Sequence, residues 1–177
     1  MKKTFAIITI FIIFFCLYFF QSRVFSTFTI AGVEPNLFII LALFLGLYLN
    51  KLYTPFICVF LGLLLDFFYS DIIGINAIML LIASIGGILF VKNFSKESRI
   101  TITIISIAMT FICEIIVYIL RIIILNANIE ILAFLKIVSI EIIYNAILII
   151  ILYPLIQKFG NRIENRFTED KILTKYF

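Results

Sequence analysis

Residues Ile100–Leu125 read ITITIISIAMTFICEIIVYILRIIIL, an apolar run broken by ionisable side chains only at Glu114 and Arg121. A bilayer core of roughly 30 Å takes about 20 apolar residues in a helix. This segment alone is long enough to cross one. Similar runs flank it on both sides, at about 4–20, 35–49, 53–69 and 72–91 before it and 131–156 after it. Composition agrees: 64% hydrophobic residues, 14% charged, no His, and a mean hydropathy of +1.26. These features predict an all-α fold, a polytopic membrane helix bundle of about six transmembrane helices over residues 1–156, followed by a basic tail at 157–177. The 35–49 run is short and the boundary between the third and fourth runs is soft. Five spans, with a re-entrant or half-length element, therefore stay open as an alternative. No room is left for a separate catalytic domain.

The runs are continuous and rich in Ile, Leu and Phe, whereas barrel strands would alternate polar and apolar residues. Pro55 sits where the first turn of the third helix should be, the position at which a missing N–H costs least. Charge gives the orientation. With the N-terminus inside, Lys2, Lys3, Lys51, Lys92, Lys96, Arg99, Lys158, Arg162, Arg166, Lys171 and Lys175 fall on the inner side. Only Arg23, Arg121 and Lys136 fall on the outer side. This bias predicts an N-in/C-in topology and an even number of spans. It also makes the net charge of +4 a topology signal and an anionic-lipid contact, with no nucleic-acid partner implied. The first run has no small-x-small site after it and reads as a retained helix. Cys16, Cys58 and Cys113 lie in separate apolar runs and read as small packing residues.

Ionisable groups at membrane depth are costly and are functional candidates by default. Asp66 closes the stretch Gly62-Leu63-Leu64-Leu65-Asp66, with Asp71 just beyond it. Glu114, Tyr118 and Arg121 share a face of the fifth helix, and Glu141 and Asn145 a face of the sixth. Depth matching predicts a charge network among the third, fifth and sixth helices, with Arg121 or Lys136 reaching Asp66 or Glu141. The plainer reading of Arg121 and Lys136 is snorkelling to outer headgroups. Glu34-Pro35-Asn36 should open the second helix, with Pro35 in its first turn and Glu34 or Asn36 capping it. The glycines Gly46, Gly62, Gly74, Gly86 and Gly87 suit close helix packing. Gln157–Phe177 should lie along the inner membrane surface or dock a cytoplasmic partner. No nucleotide-binding loop, HExxH or CxxC occurs, and no His is present to act as base or ligand. The residues therefore assign no enzyme activity, no cofactor and no metal.

Three stretches resemble the rod shape-determining protein MreD family. Glu34-Pro35-Asn36-Leu37 is similar to the Pro-Asn/Asp-Leu opening of an early helix. Gly62-Leu63-Leu64-Leu65-Asp66, continuing to Gly74, is similar to the family's Gly-x-x-x-Asp segment, although Ile73 stands where Leu is usual. Asn145 to Pro154 resembles an Asn followed by a helix-ending Pro, and Glu114 suits the family's fifth span. The resemblance implies a non-enzymatic scaffold of the cell-elongation machinery in the bacterial cytoplasmic membrane. Its implied partner is an MreC-like single-span protein, and through it the MreB filament, RodA and a class B penicillin-binding protein that builds side-wall peptidoglycan. It further implies that Asp66 and Gly74 support the outer face of the bundle, and that Glu34, Pro35 and Asn36 shape the loop nearest a periplasmic partner. The competing reading is the substrate-binding membrane subunit of a vitamin-type importer. In that case Glu114, Tyr118, Glu141 and Asn145 would line a solute pocket.

Overall fold

The computed structural model describes the backbone of residues 2–49, 51–70, 72–93, 98–126 and 129–173, and the side chains of 6–49, 51–68, 70, 72–91, 98–126 and 129–164. Asn50, Asp71, Lys96 and Lys175 lie outside the described residues. Among the described residues six α-helices follow one another: α1 (Lys2–Phe19), α2 (Leu37–Tyr48), α3 (Thr54–Tyr69), α4 (Ile75–Asn93), α5 (Arg99–Leu125) and α6 (Ile131–Leu173). A π-helical turn, Phe20–Phe25, extends α1. Among the described residues there is no strand, only an isolated bridge between Ile30 and Val33.

Successive helices run antiparallel. Phe14 of α1 meets Phe38 of α2, with ring centroids 5.5 Å apart. Cys113 of α5 points at the Met79 carbonyl of α4. Arg99 at the start of α5 lies over the Tyr153 ring near the far end of the bundle part of α6, 5.3 Å from its centroid. Helices α2 and α4 are parallel and touch backbone to backbone. A Cβ on Gly46 would fall on the Ser84 carbonyl, and one on Gly87 on the Leu43 carbonyl. Only the absence of side chains there lets the two axes approach so closely.

Helix α2 is the axle of this bundle. Its 12 residues span about 18 Å, well short of the roughly 30 Å hydrocarbon core. Every residue in it except Leu41 is buried. It packs against all five other helices. A half-length helix is tolerable in a membrane when protein surrounds it, because no unpaired backbone group then meets lipid. Its apolar character on all sides follows from that position. The longer helices α1, α5 and α6 are long and apolar enough to cross a membrane, and they share the outward-facing apolar surface with α3 and α4, where Phe56, Phe67 and Leu89 are exposed. Helices α2, α3 and α4 are shorter apolar helices.

Three sequence-based boundaries move. Pro35 precedes α2 instead of sitting in its first turn, because Asn36 takes the N-cap position and its Oδ1 accepts from the Ile39 amide. The first run, expected to end at about 20, does not stop before the polar residues Gln21-Ser22-Arg23. The chain continues through them as the π turn, since the Gln21 amide is consumed inside the bundle. Pro154 does not end α6, which runs on to Leu173. Proline removes one helical hydrogen bond, and within a long helix the rest of the ladder holds. Beyond it Gly160 abuts the Tyr48 ring and Ile163 is buried, so the first turns of the tail belong to the bundle.

Candidate functional site: two capped helix ends and a polar cavity

The polar side chains collect at one end of the bundle, where α2 and α4 begin. A helix start exposes backbone N–H groups that need acceptors, and here both starts are buried. Asp66, on the last turns of α3, supplies them for α4. Its Oδ2 accepts from the Gly74 amide at 2.8 Å and the Ala77 amide at 3.2 Å, and its Oδ1 from the Asn76 amide at 3.0 Å. Asp66 is only 1% exposed. A carboxyl group at a helix N-terminus also meets the positive end of the helix dipole. Gly74 makes the arrangement reachable: its φ of +106° bends the chain so that three amides converge on one side chain. One turn before Asp66, Gly62 lies so close to α4 that a Cβ would strike the Ala77 backbone. The spacing Gly62-x-x-x-Asp66…Gly74 is thus a helix-pair lock, with a smooth contact, a side-chain cap and a left-handed turn.

The start of α2 is held by three different helices. Asn145 of α6 accepts from the Asn36 amide through Oδ1 at 2.9 Å and donates from Nδ2 to Thr110 Oγ1 of α5 at 3.2 Å. Gln21, on the π turn after α1, donates to the Pro35 carbonyl at 2.7 Å and accepts from the Leu37 amide at 3.2 Å. The widened π turn places this amide where a regular helix would have ended, a common use of such turns. Tyr144 adds a bond to the Phe28 carbonyl at 2.8 Å, which pins the 26–36 loop to α6. Asn145 is 1% exposed, so both ends of its amide are committed inside the protein.

Between the two starts lies a cavity of about 160 Å³, walled by Tyr18, Phe38, Leu65 and Met79 and lined by Gln21, Glu34, Asn36, Asn76 and Glu141. Glu141 is 6% exposed, and its Oε1 has no hydrogen-bond partner. Glu114 of α5 lies close enough to interact with Glu141.

The charge network expected among the third, fifth and sixth helices does not form through Asp66. Helix α3 packs mainly on α4 and less on α2, with α5 and α6 lying beyond them. The partners of Asp66 are backbone amides. Arg121 and Lys136 are exposed, as snorkelling side chains are; Arg121 acts electrostatically on Glu114 of its own helix. Of the four residues expected to line one solute pocket, Glu141 meets both Glu114 and Asn145, while Tyr118 is engaged elsewhere. Tyr118 stacks on Phe134, 4.2 Å between ring centroids, and accepts from the Glu130 amide. Asn145 is spent on Asn36 and Thr110, and of the four only Glu141 reaches the cavity. Among the described residues no three acidic, Cys or His side chains converge as a metal site. Gln21, Thr110 and Tyr144 escaped sequence reasoning. Gln21 carried a signal, since it sits at the same depth as Asn36.

The family model for the rod shape-determining protein MreD matches residues 1–163. The chain belongs to the MreD family. The match covers all six helices as far as the buried Ile163, and includes both helix locks. No curated protein and no solved structure matches the chain. Membership gives the Asp66 and Asn145 locks their setting, a membrane protein of rod shape determination. MreD is a family of shape-determining proteins, not one of known enzymes.

Proposed function

We propose that the chain is a non-catalytic scaffold of the cell-elongation machinery, crossing the bacterial cytoplasmic membrane six times with both termini inside. It holds an MreC-like single-span protein, and through it communicates with the MreB filament, RodA and a class B penicillin-binding protein, so that side-wall peptidoglycan synthesis follows cell shape. The observation that carries this reading is the family match over residues 1–163. Two features support it. The helices alternate in direction, as six crossings require, and eleven of the 14 basic residues then fall on one side. The polar groups of α2–α4 turn inward, while Phe67, Ile104, Ile123 and Leu132 stay exposed, leaving apolar faces for lipid and for another protein's transmembrane helix.

Asp66, Gly74 and Asn145 serve this function indirectly. They are locks that hold the outer end in one shape, and Glu34, Pro35 and Asn36 fix the loop that meets a periplasmic partner. The test is affinity purification of the tagged chain from its native membrane in detergent, read by mass spectrometry, with Asp66→Ala alongside. Recovery of an MreC-like single-span protein, reduced in the variant, is the expected result. Recovery of an ATPase pair with a larger membrane subunit would replace the scaffold with an importer.

A further inference from the structure

A buried carboxyl oxygen without a hydrogen-bond partner is costly, and Glu141 Oε1 is buried, unsatisfied and on the wall of a cavity, although the Glu141 carboxyl group also meets Glu114 and Asn145. Glu34 also lines the cavity, and its hydrogen bond from Gln21 Nε2 is long at 3.4 Å. Among the described residues no Lys or Arg lines the cavity. Two helix starts do point toward it, and each carries about half a positive charge. That charge is already answered: Asp66 takes the α4 amides, and the Gln21, Asn36 and Asn145 oxygens take those of α2. What remains on the wall is the carboxyl oxygens of Glu141 and Glu34, with Glu114 close behind Glu141, and none of the cavity's described lining residues is a cation to answer them. Its other walls are the Tyr18 and Phe38 rings and the Met79 thioether, surfaces that accept an organic cation through its face or its stem. Its 160 Å³ is about the volume that admits a benzene-sized group. A metal ion is the poorer fit, since among the described residues three ligating side chains do not converge.

We propose that this cavity is a binding site for an organic monocation, a primary ammonium group on a short apolar stem, held by Glu141 and Glu34 with Gln21 and Asn76 beside them. The site stands whether or not the scaffold reading is right. The ammonium group can come from a free amine, from a partner's lysine or from an ethanolamine lipid headgroup.

The test uses the full chain in phosphatidylcholine nanodiscs and two probes of equal heavy-atom count, n-butylammonium and n-butanol, titrated by saturation-transfer NMR with empty discs subtracted. Saturable binding of butylammonium and not of butanol is expected. Glu141→Gln should weaken it at least about tenfold, the usual scale for losing a buried charged partner, and Glu34→Gln should weaken it less. Glu130→Gln, at an exposed position outside the cavity, should leave it unchanged. Repeating the titration in discs containing phosphatidylethanolamine separates the sources. Loss of the butylammonium signal identifies the lipid headgroup as the occupant, and its persistence points to a soluble or protein-borne amine. Equal responses to both probes in the wild-type chain, no saturable binding in phosphatidylcholine, or a folded Glu141→Gln protein that binds like wild type would overturn the proposal. The probe comparison on the wild-type chain decides the matter even if the variants fail to fold.

Discussion

Replacing Asp66 with Ala removes one side chain and orphans three amides. A single exposed N-cap is worth about 0.5–2 kcal/mol. Here the Gly74, Asn76 and Ala77 amides, at 2.8, 3.0 and 3.2 Å from the carboxyl oxygens, all lose their acceptor at a site 1% exposed. Each buried donor left unpaired costs about 1–3 kcal/mol. A water entering the vacated space recovers part of this, which leaves a loss of about 3–4 kcal/mol. Asp66→Asn keeps one good acceptor, and asparagine caps helices well; its loss should be nearer 1–2 kcal/mol. The chain supplies its own reporters, because Cys58 on α3 and Cys113 against Met79 are buried while Cys16 is exposed. In detergent, labelling of Cys58 by N-ethylmaleimide proceeds through opening of the α3–α4 pair, so its rate tracks the opening free energy. At 1.4 kcal/mol per factor of ten, Asp66→Ala should speed Cys58 labelling roughly 100- to 700-fold, Asp66→Asn about 5- to 25-fold, and Cys16 not at all. A rate for Asp66→Ala within threefold of wild type would refute the lock, as would identical rates for Ala and Asn.

Gly74→Ala should destabilise the same helix pair by about 1–3 kcal/mol, since φ +106° is strained for any residue with a Cβ; the Cys58 rate reads this too. Asn145→Leu leaves the Asn36 amide and Thr110 without their partner, and should cost about 1–3 kcal/mol, seen as faster Cys113 labelling. Gly87→Val drives a side chain into the Leu43 carbonyl, and should cost about 1–3 kcal/mol or more. Gel filtration in detergent would show it as a broadened or aggregated peak, whereas an unchanged peak and Cys113 rate would contradict the α2–α4 contact.

The helices were legible in the sequence because the apolar runs are separated by short polar breaks, even where one run is short and one boundary soft, and Pro55 and the Gly62–Asp66–Gly74 spacing marked real features. Their meaning was less legible. Asp66 looked like a charge seeking Arg121 or Lys136, since counting residues gives depth along a helix and not which helix lies alongside. The neighbour is α4, whose amides compete for a carboxyl group as well as any cation does. Asn145 pointed at a pocket for the same reason: a buried amide in lipid must have partners, and the sequence does not say whether they are solute or backbone. Gln21 was hidden by an ordinary rule, that polar residues end a membrane helix, which fails where the π turn carries them into protein. Pro154 misled in the opposite sense, because a long helix with lost bonds at one residue keeps its direction.

Membership in a shape-determining family makes cell form the closest test. The measurement is the width and aspect ratio of native rod-shaped cells as the chain is depleted, then resupplied as wild type, Asp66→Asn or Asp66→Ala at matched membrane levels. Depleted cells should swell toward spheres, wild type and Asn should restore rods, and Ala should restore them poorly. Cells that keep their rod form and width without the chain would contradict the scaffold role.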